Sequence, residues 1–206
     1  MSSAFSTVPA STRLSRFGAL CGVLSGLLIA LPAAVEAFTG ETAVTSLLLA
    51  LSPALALPFL TALHQWQSPA TGRFGEIAYL VNLIGLGLFG GAAFAANLVL
   101  YYLDDDVIEA ELTGPTIPAL LGSAVVFAVG CALFGAALIR ARMVPRVPAW
   151  GYAVALPLFA FLIALPDSVL TSALHIVVGI VLVWVSTALW RSASSDDRTA
   201  VSAFTS

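Results

Sequence analysis

Two kinds of side chain in this sequence could carry out proton chemistry: histidines and carboxylic acids that lie in or beside long apolar segments. His175 lies well inside such a segment, and Thr171 and Ser172 share its helical face at spacings of four and three residues. An ionisable group within a membrane span is costly and is therefore a functional candidate by default. We expect His175 and Ser172 to face the interior of a helix bundle. The alternative for His175 is a neutral ring that bonds to a neighbouring helix.

Three carboxylic acids stand where apolar segments begin or end, at Glu36, Asp104 and Asp167. A carboxyl group that is sheltered from water can stay protonated near neutral pH and serve as a general acid. We therefore predict these three acids, together with His175, as the catalytic candidates. Asp167 has an alternative role near the start of a helix, where acids are favoured, and the same role is expected for Glu41.

A second group of residues could bind a substrate. Asn97 and Tyr101 lie on one helical face with Asp104, at steps of four and three residues. Aromatic faces attract cations, and several aromatic residues are expected at a similar depth. Helix-to-helix bonding and an ordinary aromatic belt are the alternatives. The predicted substrate-binding residues are Asn97, Tyr101, Tyr102, Phe38, Phe159, Phe161 and Ser172.

Metal and cofactor chemistry finds little support in the sequence. The run from Asp104 to Glu109 contains Asp-Asp-x-x-Glu, a spacing suited to Mg²⁺ holding a diphosphate. There is no second acidic motif and no basic clamp beside it, which favours a solvated acidic loop. The chain contains no lysine, which excludes a Schiff base with retinal or pyridoxal phosphate. His64 and His175 are predicted at opposite membrane faces, so they cannot ligate one haem. We expect no metal and no cofactor.

The composition identifies the class of protein that must position these residues. The 206 residues are 60% hydrophobic and 9% charged, whereas soluble domains carry about 25% charged residues. Six stretches are long enough to cross a bilayer, which takes about 20 apolar residues. Continuous apolar runs favour helices over barrel strands. The predicted spans are 17–35, 44–63, 77–103, 117–139, 147–165 and 169–190.

The basic residues predict an orientation. All eight are arginines, and with six spans every one of them falls on the same side. Because positive loops stay inside, this side is predicted to be cytoplasmic and the protein to be a multi-pass protein of the cell membrane. Most acids fall on the opposite side. A cleaved signal peptide in place of the first span is the alternative.

The predicted fold class is therefore all-α, a polytopic membrane protein with a compact bundle of six transmembrane helices and both termini cytoplasmic. Residues 17–191 form this domain, and 1–16 and 192–206 are predicted as disordered tails. Glycines at 18, 22 and 26, and at 87 and 91, are expected to let helices of this chain approach closely. The expected partners are the lipid bilayer and a lipophilic small molecule. The net charge of −3 argues against nucleic acid, and the oligomeric state stays open.

Three segments carry a resemblance to known proteins: VEAFTGETA (35–43), NLIGLGLFGGAAFAANLVLYYLD (82–104) and PDSVLTSALH (166–175). They resemble small six-span membrane proteins of high-GC, actinobacterial type. In size and layout this group is similar to bacterial membrane terpene cyclases, which cyclise prenylated indole products. The resemblance implies a proton-initiated cyclisation of isomerase or lyase type, without ionisation of a diphosphate. An acid would protonate an alkene or epoxide, and aromatic residues would stabilise the carbocation.

Two other functions remain open at this point. A small transporter or channel would need an access path from both sides, and the prolines at 53, 58 and 157 would supply kinked spans for it. A non-catalytic accessory subunit would show dry packing and an exposed face of small residues. An enzyme would show a lipid-accessible pocket with one sheltered carboxyl group.

Overall fold

The computed structural model describes residues 10–161 and 168–204, and within these ranges the chain is helical and contains no strands. Four helical stretches are long and apolar enough to cross a membrane: Thr12–Thr39, Ala43–Tyr102, Thr116–Ala141 and Val169–Ser195. The helices are α1 (Ala10–Thr39), α2 (Ala43–Leu98), α3 (Asp105–Glu111), α4 (Thr116–Ala141), α5 (Arg146–Ala160) and α6 (Val169–Phe204), with a single 3-10 turn at Leu100–Tyr102.

Helix α2 is a hairpin of two helical arms. Its 56 residues would extend about 84 Å as one straight helix. The chain reverses at Gly72, which has φ 52° and ψ −146°, a conformation that essentially only glycine adopts. Beyond the reversal, Tyr79 stacks on His64 with ring centroids 4.1 Å apart, and its hydroxyl lies 3.2 Å from Oγ1 of Thr61. The first arm (43–71) and the second arm (73–98) therefore lie antiparallel. The first arm contains the predicted span 44–63, and the second arm contains most of the predicted span 77–103, whose last five residues lie beyond the end of α2.

The helices form a closed ring in sequence order. Helix α1 packs on the first arm of α2 and on α6, the second arm packs on α4, and α5 lies between α4 and α6. The ring is closed where Gly26 of α1 meets Gly179 of α6. Helix α5 has 15 residues, and the rest of the predicted fifth span, 162–165, lies outside the described residues.

The predicted glycine contacts are confirmed on α1. Gly18 lies against Ala62 of the first arm, and Gly22 and Gly26 lie against α6, so backbones approach closely within one chain. The prediction is wrong for Gly87 and Gly91, which have no neighbouring atom within 4 Å of an added Cβ. The glycines that face neighbours on the second arm are instead Gly85, against Phe127, and Gly90, against Pro53.

A small polar cluster is enclosed in the apolar core. Asn82 is fully buried, and its Nδ2 donates a hydrogen bond of 2.9 Å to the hydroxyl of Tyr152. The Sγ of Cys131 donates to Oδ1 of Asn82 at 3.3 Å. Because each residue belongs to a different segment, the cluster ties the second arm of α2 to α4 and α5. Cys21 and Cys131 are free thiols, and both are buried.

The arginines gather at one end of the bundle. The guanidinium of Arg140 lies 4.9 Å from the ring of Phe74, which places the end of α4 beside the reversal in α2. Gly22 lies against Ser186, and Gly26 lies against Gly179. Helices α1 and α6 are therefore antiparallel, and the start of α1 lies beside the later part of α6. We call this the arginine end, and it holds Arg13, Arg16, Arg73, Arg140, Arg142, Arg146 and Arg191.

The helical region is longer than the predicted domain 17–191. Helix α1 begins at Ala10 and α6 continues to Phe204, so part of each predicted tail is helical. The physical reason is packing. Thr12 and Ala193 are buried against the bundle, and most helical stability in proteins comes from such tertiary contacts.

Candidate functional site

A cavity of about 220 Å³ opens at the end of the bundle opposite the arginines. It lies between α1, both arms of α2, α5 and α6. A smaller apolar chamber of about 40 Å³ continues from it towards the centre of the bundle. The two share Ser52, Pro53, Phe89 and Phe159. The polar residues that line the outer cavity are Glu36, Glu41, Ser52, Asn97, Thr171, Ser172 and His175.

Two carboxyl groups stand at the mouth of this cavity. Helix α1 ends at Thr39, and Gly40 then turns the chain with φ 73° while its N–H donates to the carbonyl of Glu36 at 2.9 Å. This short turn lets Glu36 and Glu41 line the same cavity from two helices. Oε1 of Glu41 accepts a 2.7 Å hydrogen bond from Oγ of the fully buried Ser46. The carboxyl group of Glu41 is thus held by a side chain of the first arm.

The orientation of His175 is set by the start of α6. Its Nδ1 lies 2.8 Å from the carbonyl oxygen of Thr171. Because a carbonyl only accepts, Nδ1 is the protonated nitrogen, and Nε2 is the basic atom of the neutral ring. Thr171 is itself held by Ser168, whose N–H donates to Oγ1 of Thr171 at 2.8 Å. The start of α6 therefore orients the imidazole.

Aromatic rings run from the polar mouth into the apolar chamber. The ring of Phe159 meets His175 edge to face at 4.7 Å, and it contacts Phe89 at 5.9 Å. Phe89 in turn stacks on Phe127, with centroids 4.4 Å apart. A cation within about 6 Å of an aromatic face is stabilised by roughly 0.5–2 kcal/mol, most strongly where water is excluded. The arrangement can therefore stabilise a positive charge that has no hydrogen-bonding group of its own.

A proline shapes the boundary between the cavity and the chamber. Pro53 has no N–H, so the carbonyl of Leu49 loses its helical donor. The hydroxyl of Ser52 donates to that carbonyl at 3.0 Å instead. The carbonyl of Ser52 accepts a bond of 2.9 Å from the buried hydroxyl of Ser25 on α1. The carbonyl groups of Leu49 and Ser52 are thereby satisfied, and the second bond ties α1 to the first arm.

The structure brings together five of the predicted site residues. Glu36, Asn97, Phe159, Ser172 and His175 all line the outer cavity. The side chain of Asn97 is half-buried, and its Nδ2 donates to the carbonyl of Ala93 at 2.8 Å.

Five other predicted site residues do not line this cavity. Asp104 is exposed at the start of α3, and Tyr101 and Tyr102 pack on each other at 5.0 Å. Phe38 is 91% exposed and Phe161 is 46% exposed. Asp104, Tyr101 and Tyr102 do not line the cavity because α2 ends at Leu98 and a 3-10 turn follows. The helical spacing counted from Asn97 therefore does not continue to these residues. The remaining candidate, Asp167, lies outside the described residues.

Sequence reasoning assigned no site role to Glu41, Ser52 or Phe89, although all three line the cavity. Phe89 could have been found, because it precedes Asn97 by eight residues and therefore shares its helical face. Ser52 could have been noticed as the hydroxyl directly before a helix-breaking proline. Glu41 carried no such signal, since an acid near a helix start has an ordinary explanation.

Across the part of the chain that the structure describes, no group of three histidine, cysteine or acidic side chains is placed to hold a metal ion. The acidic residues from Asp104 to Asp106 are exposed. No protein-family model, curated protein or solved structure matches this chain. Its residues and their geometry therefore carry the functional interpretation.

Proposed function

We propose that this protein is a membrane-embedded enzyme that cyclises a lipophilic, prenylated substrate by protonating it. The observation that carries the proposal is the cavity that opens at the end of the bundle opposite the arginines. A carboxyl group and an imidazole stand at its mouth, and aromatic rings lead from there into an apolar chamber. Proton donor, proton acceptor and cation-stabilising surface are the three components that such a reaction needs.

Glu36 is the preferred acid in this proposal. It lines the cavity, whereas Asp104 is exposed to solvent. Glu41 also lines the cavity, but its Oε1 is held by the hydroxyl of Ser46. We assign proton donation to Glu36 and electrostatic stabilisation of the cation to Glu41.

The proposed reaction is an isomerisation. The carboxylic acid of Glu36 transfers its proton to a terminal alkene, and the π electrons of that alkene form the new C–H bond. The resulting carbocation is attacked by an internal alkene, which closes the ring. A carbon next to the final cation then loses a proton to Nε2 of His175, and its C–H electrons form the product alkene. Return of this proton to Glu36 restores the enzyme, so substrate and product have the same formula.

The cavity favours this function over the two alternatives. A channel or transporter needs a path to the arginine end, but the core beyond the chamber is filled by side chains that are at most 1% exposed, including Phe134, Leu138, Val185 and Leu189. An accessory subunit would need no polar cavity. The volume of about 220 Å³ is below the roughly 300–1,000 Å³ usual for small-molecule pockets, which suits binding of the reacting end while the remaining chain lies in lipid.

We also propose six membrane crossings, with the arginine end in the cytoplasm. The two arms of α2 count as separate crossings, because they are antiparallel and in contact. Helix α5 then provides the fifth crossing. Gathering of the arginines at one end agrees with the positive-inside rule. Both termini would be cytoplasmic and the cavity would open towards the outer leaflet of the cell membrane.

Turnover in D₂O tests the reaction directly. The full-length protein in phosphatidylglycerol vesicles is incubated with 3-farnesylindole. The products are separated by chromatography, and their masses are measured by mass spectrometry. In H₂O we expect an isomer of the substrate. In D₂O we expect the same product with one deuterium on carbon, because the acid exchanges its proton with solvent before it protonates the alkene.

Two acid variants make the test specific. Glu36→Gln keeps the shape of the side chain but removes the acid, and should lower turnover by about 100-fold or more. Asp104→Asn removes an exposed acid near the same end of the bundle and should change turnover by no more than about twofold. Full activity of Glu36→Gln, or a product without deuterium, would contradict the proposal.

A further inference from the structure

A second cavity, of about 770 Å³, lies at the arginine end, where α4 gives way to α5. Three arginines line it, Arg140, Arg142 and Arg146, together with Val144 and Trp150. No carboxylate is among its lining residues. We call this concave site the arginine pocket. Three positive charges that converge on one concave surface without an acid favour an anionic ligand.

The junction brings the end of α4 and the start of α5 to the pocket. Arg142 ends α4 in the left-handed conformation, with φ 55° and ψ 21°, so the chain turns sharply between two arginines of the pocket. Helix α5 then begins directly after Pro145 without a side-chain cap. The first N–H groups of a helix have no intrahelical acceptor, and they carry the positive end of the helix dipole. Pro145 and Pro148 have no N–H, so α5 offers only the N–H groups of Arg146 and Val147 here, and the carbonyl end of α4 opposes their dipole. The positive potential of the pocket therefore comes from its three guanidinium groups.

An apolar stripe leads away from the pocket along α5. Val147 is 67% exposed and Trp150 is 58% exposed, and Val154 and Leu158 continue the same face at steps of four residues. Tryptophan is enriched where hydrocarbon meets the headgroups of a bilayer. The stripe is therefore positioned for acyl chains that descend from a headgroup held at the pocket.

We propose that the arginine pocket binds the phosphodiester of an anionic phospholipid, whose acyl chains lie along the exposed stripe of α5. Guanidinium groups bind phosphate oxygens in a bidentate manner, and basic sites beside membrane helices bind anionic headgroups. A zwitterionic headgroup brings a cation close to three arginines and is disfavoured. A free phosphate shares the headgroup chemistry, but it makes no use of the stripe. This inference is independent of the proposed function.

Lipid binding to the full-length protein in detergent can be measured by native mass spectrometry. We expect phosphatidylglycerol to bind at least about tenfold more tightly than phosphatidylcholine, because clustered arginines beside a membrane attract anionic headgroups. The triple variant R140Q/R142Q/R146Q should lose this preference. The triple variant R13Q/R16Q/R191Q removes the same charge from α1 and α6, outside the pocket, and should retain the preference to within about twofold because distant charges are screened.

A second measurement uses the unmodified arginines, so the proposal stays testable if the triple variant does not fold. Phosphatidylglycerol with brominated acyl chains should quench tryptophan fluorescence in vesicles more strongly than brominated phosphatidylcholine, and Trp150→Phe should remove this difference. Equal binding of both lipids by the wild-type protein would overturn the proposal, as would equal losses in the two triple variants. Binding of millimolar inorganic phosphate that competes fully with phosphatidylglycerol, with no quenching at Trp150, would overturn the assignment to a lipid.

Discussion

The imidazole of His175 meets the ring of Phe159 edge to face, with the ring centroids 4.7 Å apart and the planes at 81°. This contact joins α5 to α6 at the level where the polar cavity narrows into the apolar chamber. It places the proposed proton acceptor beside the first ring of the aromatic path. A carbocation stabilised by Phe159 would therefore form close to the base that removes its proton.

Replacement of Phe159 should impair cyclisation more than it impairs folding. Phe159→Leu keeps an apolar side chain but removes the aromatic face, and the loss of about 1–2 kcal/mol in the transition state should lower turnover by roughly tenfold. Phe161→Leu is the matched control, since that ring does not line the cavity. Turnover of 3-farnesylindole measures both variants. Equal effects at the two positions would argue against a role for the Phe159 ring.

Labelling of introduced cysteines should place the two ends of the bundle on opposite sides of the membrane. Glu109→Cys and Arg142→Cys both alter exposed residues. In intact cells, a membrane-impermeant maleimide should modify Glu109→Cys but not Arg142→Cys, because arginine-rich loops stay inside. The wild-type protein is the blank, since Cys21 and Cys131 are buried. Labelling of both variants in intact cells would refute the proposed orientation.

Loss of the Tyr152 hydroxyl should destabilise the bundle without touching the cavity mouth. Tyr152→Phe deprives the fully buried Asn82 of its acceptor, and polar bonds between membrane helices contribute about 0.6–2 kcal/mol. Unfolding in mixed micelles of increasing SDS content gives the free energy. Tyr102→Phe, at an exposed tyrosine, should leave it unchanged within about 0.5 kcal/mol. Equal stability of Tyr152→Phe and the wild-type protein would show that the bond does not contribute.

The glycine contacts on α1 predict a clear difference between two alanine substitutions. A Cβ at Gly26 would lie 2.6 Å from the carbonyl oxygen of Gly179, so Gly26→Ala must push α1 away from α6 at a cost of about 1–3 kcal/mol. Gly87→Ala meets nothing within 4 Å and should be neutral within about 0.5 kcal/mol. The same SDS titration compares them. A neutral Gly26→Ala would mean that the two helices are not in contact there.

The reversal in α2 should depend on glycine. At Gly72 the backbone has φ 52° and ψ −146°, where a side chain adds strain of about 1–3 kcal/mol. We therefore expect Gly72→Ala to unfold at lower SDS content than the wild-type protein. Gly122→Ala, inside helix α4 with no atom within 4 Å of the added Cβ, serves as its control. A wild-type midpoint for Gly72→Ala would contradict a hairpin at this position.

Much of the fold was predictable because it follows from composition and local spacing. Long apolar runs predict helices in lipid, and the four-residue spacing of Gly18, Gly22 and Gly26 predicts a close helix contact that the structure confirms. The same spacing failed at Gly87 and Gly91. Spacing identifies a face of small residues, but it does not say whether a neighbouring helix covers that face.

The candidate site was harder to predict, since it depends on contacts between distant segments. Glu36, Asn97 and His175 could be chosen one by one as polar groups near span ends, and the structure places them around one cavity. Tyr101 was chosen by extending the helical period of Asn97 through a point where the helix ends. Phe89 shares the helical face of Asn97, but its neighbours in the sequence are apolar. Its residue type therefore does not distinguish a site residue from an ordinary core residue.

The closed ring of helices has a consequence for biosynthesis. Each segment contacts the next one along the chain, so the growing polypeptide can add helices in order, with low sequence separation between most partners. The exception is the seam between α1 and α6, where Gly26 meets Gly179. During synthesis α1 can pack on the first arm through Gly18, but Gly26 stays uncovered until α6 leaves the ribosome. A chain that stops before α6 would keep that face open to any other helix in the bilayer.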